Sequence, residues 1–555
     1  MRQAIPIQPR YRPVRSSAAR SLAGIILTIV SGVCSACFNP AGPDPAPLSV
    51  HTATFDPVRM NTACAQGIRV TGGSGSYRFT VCEGVLPAGL ALSPGTGYLR
   101  GVVTSAPGEY LFSVRVQDRT DPSRLITVPL SVTVEPLLWR IMVYMAADNS
   151  LSEFAKGDLA ELEAADLSGT GIGITVLQDL QGPGNTSLYQ VRYDAEPGDG
   201  VFSSLALPLS SLPLELGLQT QELDMGDPAV LIAFLEYGET MLPADHNMLV
   251  IWNHGSGWRG AGDHARGSPL RTLCEDTASG DSVLYTAELG EALFGKHIDV
   301  LGFDLCYGAM LELMYELREY GRFFIASEEA EQAGGWNYTE ILTGFINTDM
   351  TPVRMAETVV EAYSHTYANA PGMTLSAVDL SRTADLYAAL NALSRRLSDA
   401  CTSIPEAGET LRELLLDTVE SFHGTSYPSE LNIDLCDLAR KVSSLTDYAD
   451  DEADALETAI SSAVVSEWHH AGDGTVGNPD ASGIAVHLVR LASAGTPDGH
   501  DEAYFREFGS TVVSRNKHPL AFTADSLWVP SLDTEDGLLY HLFHSSPRRA
   551  SEDSP

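Results

Sequence analysis

Two residues near the middle of this chain have the types needed for nucleophilic chemistry. His254 stands in Asn253-His254-Gly255-Ser256-Gly257-Trp258, and Cys306, 52 residues further on, stands in Asp304-Leu305-Cys306-Tyr307-Gly308. A cysteine thiolate is a strong nucleophile, and an imidazole within reach takes the thiol proton and returns it to a leaving amine. Glycines beside both residues let a substrate approach the backbone closely. The N–H groups best placed to receive an oxyanion are those of Gly255 and Cys306. Taken singly, each residue has a plainer reading, the cysteine as a small core side chain and the histidine as a local hydrogen-bonding group. It is their conjunction that favours catalysis.

That conjunction depends on the elements that carry them. Residues 247–252 and 298–303 are continuous apolar runs that end just before His254 and Cys306. Similar runs occupy 140–145, 173–177 and 322–326, separated by stretches with helical periodicity such as Leu151, Phe154, Leu159 and Leu162. Apolar runs alternating with helices indicate a buried, mostly parallel sheet flanked by helices. In such sheets ligands bind beyond the carboxyl ends of the strands. The residues just past the runs are therefore the candidates, Ser327-Glu328-Glu329 after the last run included.

Ahead of this α/β region, residues 48–136 read as an all-β sandwich. Short strands such as 77–81, 110–116 and 126–132 are divided by Gly72-Gly73, Pro94-Gly95 and Pro107-Gly108. The blocks 86–92, 97–101 and 108–110 resemble the bacterial immunoglobulin-like (Ig-like) module of surface proteins. That resemblance implies a spacer or a binding module, of which the spacer is the simpler. Residues 1–37 read as an export signal, with Arg10, Arg12, Arg15 and Arg20 ahead of an apolar run at 22–33 too short to span a bilayer comfortably. Cys34 and Cys37 follow among small residues, and residues 38–47 form a Pro-rich linker. Bacterial lipoproteins are acylated at a cysteine in such a place, but neither cysteine has the leucine three residues earlier that marks a good site, so lipidation stays open. The expectation is an exported bacterial protein, secreted or held at the cell envelope, with membrane contact only through a lipid anchor. Export in turn predicts a Cys64–Cys82 disulfide in the β-rich segment.

Composition excludes other classes. The net charge of −38, from 72 acidic and 34 basic residues, argues against nucleic-acid binding. The eight cysteines include no zinc-ligand spacing, and His469-His470 is an isolated doublet, so no metal site is expected. Cys274, Cys401 and Cys436 read as packing residues. Gly255-Ser256-Gly257 lacks the nucleophile elbow of a serine hydrolase.

The stretch from Trp139 to about Ile341 resembles the catalytic core of clostripain-like cysteine peptidases, relatives of caspases, legumains and gingipains. The matching blocks are 141–149, 254–258, 274–277, 298–306 and 326–329 with 335–338, and weaker matches continue at 375–380 and 483–487. The resemblance implies a caspase-like fold with a catalytic core over 138–400. It also implies a His254–Cys306 dyad, protein or peptide substrates and no required cofactor, although some relatives use calcium. It places Asp304 where the family lines the pocket for the residue before the scissile bond. With Glu328 or Glu329 as further acidic candidates, Asp304 would favour Arg or Lys there. The plainer role for Asp304 is to cap the helix that follows. Family members are often activated by self-cleavage at a basic residue between the histidine and the strand leading to the cysteine, here the polar, Gly-rich segment 259–281, which makes Arg266 and Arg271 candidate sites. The sequence departs from the family pattern at Leu305 and Tyr307, and a bulky Tyr307 is expected to alter the pocket rim. The rival reading is an inactive caspase-like surface adhesin or scaffold. Residues 401–545 read as the remainder of the peptidase unit with a helical lobe and a packing segment at Leu527-Trp528, and residues 546–555 as a disordered tail.

Overall fold

The computed structural model describes residues 46–214, 221–255, 273–280, 282–422, 432–472 and 477–488, together with Trp528 and Leu538. The expected export signal with Cys34 and Cys37, most of the Pro-rich linker, Arg266, Arg271 and the tail lie outside the described residues.

A strand whose successive side chains are all apolar needs cover on both faces. The first such strand, β1 (Leu137–Ala147), is buried at every position except Leu138. It is followed by β2 (Ile172–Leu180), β3 (Thr186–Gln190), β4 (Leu205–Leu207), β5 (Ala244–Trp252) and β6 (Ile298–Asp304). Next come β7 (Gly321–Ala326), β8 (Thr374–Asp379) and β9 (Val464–His469). These form one nine-stranded sheet in the order β4-β3-β2-β1-β5-β6-β7-β8-β9. The central five strands, β2 to β7 in that order, are parallel. The two strands at each edge are antiparallel.

Side chains alternate strictly between two helical layers. Met142, Tyr144, Ile251, Phe303 and Phe324 face one layer. It contains α2 (Pro228–Met241), α3 (Thr286–Leu293), α4 (Leu311–Leu317), α7 (Thr383–Ser403), α8 (Ala407–Asp417), α9 (Leu435–Leu445) and α10 (Asp450–Ala463). Ile141, Val143, Val250, Trp252 and Ile325 face the other, made of α1 (Ser152–Ala164), α5 (Tyr338–Phe345) and α6 (Pro352–Thr366). Phe154 on α1 is exposed, so the apolar stripe there runs through Ala155, Leu159 and Leu162. The helices from α8 onward share the core of the nine-stranded sheet, and Trp528 of the expected closing segment packs against it. Trp528 is fully buried and its indole N–H donates to the His487 carbonyl at 3.0 Å.

The front segment is a sandwich of a four-stranded and a three-stranded sheet. Its last strand, Leu125–Glu135, passes through Pro136 alone into β1. Leu137, Leu242 and Ala244 belong to the same apolar cluster as Phe79, Val114 and Val132 of the sandwich. Arg59 bonds the Pro136 and Leu137 carbonyls and pairs with Asp245 at 2.6 Å, while Asn61 Nδ2 donates to the Ile172 carbonyl at 2.6 Å. The sandwich thus sits on the amino ends of the parallel strands. The expected Cys64–Cys82 disulfide is absent: both thiols are free. Cys64, in the three-stranded sheet, turns inward and approaches the Leu99 carbonyl, whereas Cys82, in the four-stranded sheet, turns out to solvent. Proximity in sequence does not fix the face of a strand on which a side chain emerges.

Candidate active site

Adjacent parallel strands in register deliver equivalent positions to neighbouring points. Trp252 of β5 pairs with Asp304 of β6, so His254 and Cys306 each lie two residues past the same rung of the ladder. The two loops then touch. A Cβ on Gly255 would fall 2.1 Å from the Cys306 carbonyl oxygen, a separation no side chain tolerates, so glycine is required for the loops to meet. The Asn253 amide donates to the Asp304 carbonyl at 3.4 Å and extends the ladder by one step.

Three residues of the β1 turn and the His254 loop hold the imidazole. Ser150 Oγ lies 2.8 Å from His254 Nε2. Asn149 and Asn253, both buried, bond each other at 3.2 Å, and both donate to the carbonyls of Ala146 and Glu275. Motif reasoning assigned no role to Asn149 or Ser150, although they stand just past a strand end, where the same rule found His254.

Cys306 is half-buried, and its Sγ accepts the Glu331 amide at 3.3 Å. An N–H aimed at sulfur stabilises negative charge there. The next residue, Tyr307, has φ 58°, a left-handed conformation uncommon for a bulky side chain. The Tyr307 amide bonds the Glu329 carbonyl at 3.1 Å and Ala309 bonds Ser327 at 2.8 Å, so the turn is fixed by the loop beyond β7. The tyrosine ring packs into the helical core.

Asp304 is buried and does not cap α4, whose N-cap is Met310. Its Oδ2 accepts the Tyr338 hydroxyl at 2.7 Å and the Trp336 amide at 3.2 Å. Burial pushes the Asp304 carboxyl up to about 7 despite those bonds. Glu331, sealed against Asp304 without a well-formed side-chain hydrogen bond, is raised by burial and then by Asp304. Asp158, bonded to the Trp252 indole at 2.7 Å, is raised by burial and then by Asp304 and Glu161. A nest of carboxyl groups therefore lies directly behind Cys306, and Glu331 and Asp158 were not among the expected members. Of the two acidic candidates beyond β7, Glu329 joins the cysteine turn through its carbonyl. Glu328 turns away and accepts the Gly483 amide at 3.0 Å, with its carboxyl against Asp434. The expected packing cysteines conform: Cys274 and Cys436 are buried, and burial raises the thiols of Cys274, Cys401 and Cys436.

A second group, Asp148, Asp179, Glu222 and Asp276, converges beside the β1 turn, with one carboxylate oxygen from each within 4.8 Å of the others. Burial, then the neighbouring Asp276, Glu222 and Asp148, pushes the Asp179 carboxyl up to about 8, against the Thr186 hydroxyl that holds it down.

Comparison with known proteins agrees with this architecture. The model of the clostripain family matches residues 143–529, and that of an Ig domain matches residues 46–135. Clostripain of Hathewaya histolytica is 26% identical over 225 residues, which is 36% of this chain and 41% of that protein. The chain thus spans less than half the length of that curated relative. A secreted C11 cysteine protease from Bacteroides thetaiotaomicron, solved with an irreversible peptide inhibitor, is 21% identical. It superposes with a TM-score of 0.50 over 67% of this chain and 96% of its own, a likeness of fold. An inactive zymogen C11 protease from Parabacteroides distasonis gives 17% identity and a TM-score of 0.49 over 67% of this chain and 96% of its own.

Proposed function

The chain belongs to the clostripain family, and from that premise we propose that it is an exported cysteine endopeptidase in which Cys306 is the nucleophile and His254 the acid/base. The observation that carries this reading is the contact between Gly255 and the Cys306 carbonyl, which brings the two loops together beyond adjacent strand ends.

His254 takes the Cys306 proton as Sγ attacks the carbonyl carbon of the scissile bond. The resulting oxyanion is received by the Gly255 and Cys306 amides. Collapse breaks the C–N bond, His254 returns its proton to the departing amine, and an acyl-thioester remains on Cys306. Water, deprotonated by His254, then releases the acid and restores the thiol. With Nε2 engaged by Ser150, the proton exchange falls to Nδ1, and Ser150 acts as a positioning residue.

The substrates are proteins or peptides with Arg or Lys before the scissile bond. A guanidinium or ammonium reaching Asp304 would pair with its carboxylate and favour that form over the protonated one, whereas a neutral side chain would leave a buried carboxylate unpaired. The sandwich serves as a spacer on the pole of the sheet opposite the dyad. No helix among the described residues is long and apolar enough to cross a membrane.

Fluorogenic peptides with Arg, Lys, Asn or Asp before the scissile bond, assayed against the protein and its Cys306→Ala variant, test the proposal. Cleavage after Arg and Lys that disappears in the variant is expected. Silence across the panel from folded protein would favour the inactive scaffold.

A further inference from the structure

Resting on Cys306 as the nucleophile, we infer that Glu328 and Asp434 share one proton and, through it, position the turn that carries the thiol. Glu328 stands between the two residues that fix that turn. The Ser327 carbonyl accepts the Ala309 amide at 2.8 Å, and the Glu329 carbonyl accepts the Tyr307 amide at 3.1 Å. The Glu328 and Glu329 amides donate to Thr374 Oγ1 at 3.0 and 3.2 Å, which ties the loop to β8 through its backbone. The Glu328 side chain supplies the tie on the other side, to Asp434 at the start of α9.

Both side chains are sealed from water, and their donors are divided unequally. Asp434 accepts the Asp437 amide at 2.7 Å, and the Ser482 amide and hydroxyl each at 2.8 Å. Among the described residues, the Gly483 amide alone donates to Glu328, at 3.0 Å on Oε2, and Oε1 is shielded without a donor. Two carboxylates in contact in a dry interior do not both ionise. Three donors make Asp434 the anion, so Glu328 keeps the proton and donates it across the contact. Burial and then Asp434 raise the Glu328 carboxyl, and burial raises Asp434 against its donors.

No cation replaces that proton. Among the described residues, neither carboxyl forms an ion pair with Lys, Arg or His. His469 on β9 pairs with Glu467 at 2.5 Å. On α9, Lys441 pairs with Asp437 and Asp480, and Arg440 with Glu457. The other titratable neighbours, Glu467, Glu420 and the buried Cys436 thiol, bring negative charge or none. Loss of the proton would leave two charges repelling across the contact and drive Glu328, with the carbonyls on either side of it, away from α9. The Glu331 amide that donates to Cys306 Sγ at 3.3 Å is carried by the same loop, so loosening it weakens the hold on the thiolate.

Glu328→Gln reproduces the protonated form without a titratable group, with an amide oxygen for Gly483 and an NH₂ for Asp434. In the full chain carrying Cys306→Ala, denaturant unfolding compares the parent with Glu328→Gln at pH 5 and pH 8. A carboxyl whose folded pKa is raised loses stability as pH rises from the ordinary carboxylate range toward the folded value. The unfolding constant of the parent relative to the variant should therefore rise at least about tenfold over that span; a constant ratio overturns the shared proton. With Cys306 intact, alkylation by iodoacetamide followed against pH by peptide mass spectrometry reads the thiol itself, with the exposed Cys82 as internal reference. Glu328→Ala should raise the pH midpoint for Cys306 by about half a unit or more, and Glu328→Gln should restore it. An unmoved midpoint, the lowered one that removal of a negative charge would give, or an equal rise in Glu328→Gln overturns the positioning role. Neither measurement needs turnover, so the shared proton can fail while Cys306 still cleaves peptides, and the reverse.

Discussion

Asp118 in the sandwich and Asp304 behind Cys306 are both nearly sealed from water, but their neighbours treat them in opposite ways. Asp118 closes a turn: Ser74 donates through its amide and hydroxyl, and the Thr120 and Asp121 amides add two more bonds. Those donors hold its carboxyl well below the usual range. Asp304 receives two donors and faces Glu331, and burial carries it upward. One carboxylate is satisfied within the fold and stabilises it. The other is held, when ionised, at a cost to stability that a proton or an incoming positive charge removes.

The comparison fails or sharpens on paired variants. Asp304→Asn is expected to lower kcat/KM for Arg substrates about 100-fold while leaving Tm unchanged or higher. Asp118→Asn should lower Tm and leave kcat/KM within about twofold of the parent. Equal losses of Tm in the two would break the contrast.

The pH dependence should separate them next. A group whose folded pKa is raised binds its proton more tightly folded than unfolded, so Asp304 makes stability fall as pH rises from the ordinary carboxylate range to about 7. Asp118, being lowered, contributes stability above the ordinary range that is lost as pH falls through it. Denaturant unfolding between pH 4 and 8 should show the first slope flatten in Asp304→Asn. Over the same window the preference for Arg over a neutral residue should grow with pH, by up to about tenfold per unit below the Asp304 pKa.

A smaller effect is expected from Ser150→Ala, which removes the hydroxyl at His254 Nε2. Here kcat should fall by about fivefold to tenfold with KM little changed, and an unchanged kcat would remove Ser150 from the positioning of the ring. Smallest is Arg59→Ala at the sandwich junction, at about 1 kcal/mol of stability by denaturant titration, with turnover untouched.

The central sheet was legible because a parallel strand buried on both faces reads as an unbroken apolar run, and the rule that sites lie past such runs led to His254 and Cys306. The edge strands β3 and β4 were not. Antiparallel and half-exposed, Thr186–Gln190 and Leu205–Leu207 carry no comparable run. The acidic nest was half visible. Asp304 adjoins the cysteine, but Asp158 reaches it from α1 through Trp252, and Glu331 from the loop beyond β7. The four carboxylates of the second acidic group, Asp148, Asp179, Glu222 and Asp276, are spread over more than a hundred residues, and only the tertiary fold gathers them. Glu328 was misread because its neighbour on the chain, Glu329, faces the cysteine turn while Glu328 itself faces Asp434.

The junction at Pro136 also bears on how this molecule can be cut. Leu137, Leu242 and Ala244 close the core of the sandwich from below, so the division between modules in sequence is not a division in apolar surface. A peptidase trimmed to begin at Trp139 would present Leu242 to water and lose the first rungs of β1. It should be poorly soluble and prone to self-association, whereas trimming ahead of the sandwich should leave a well-behaved protein.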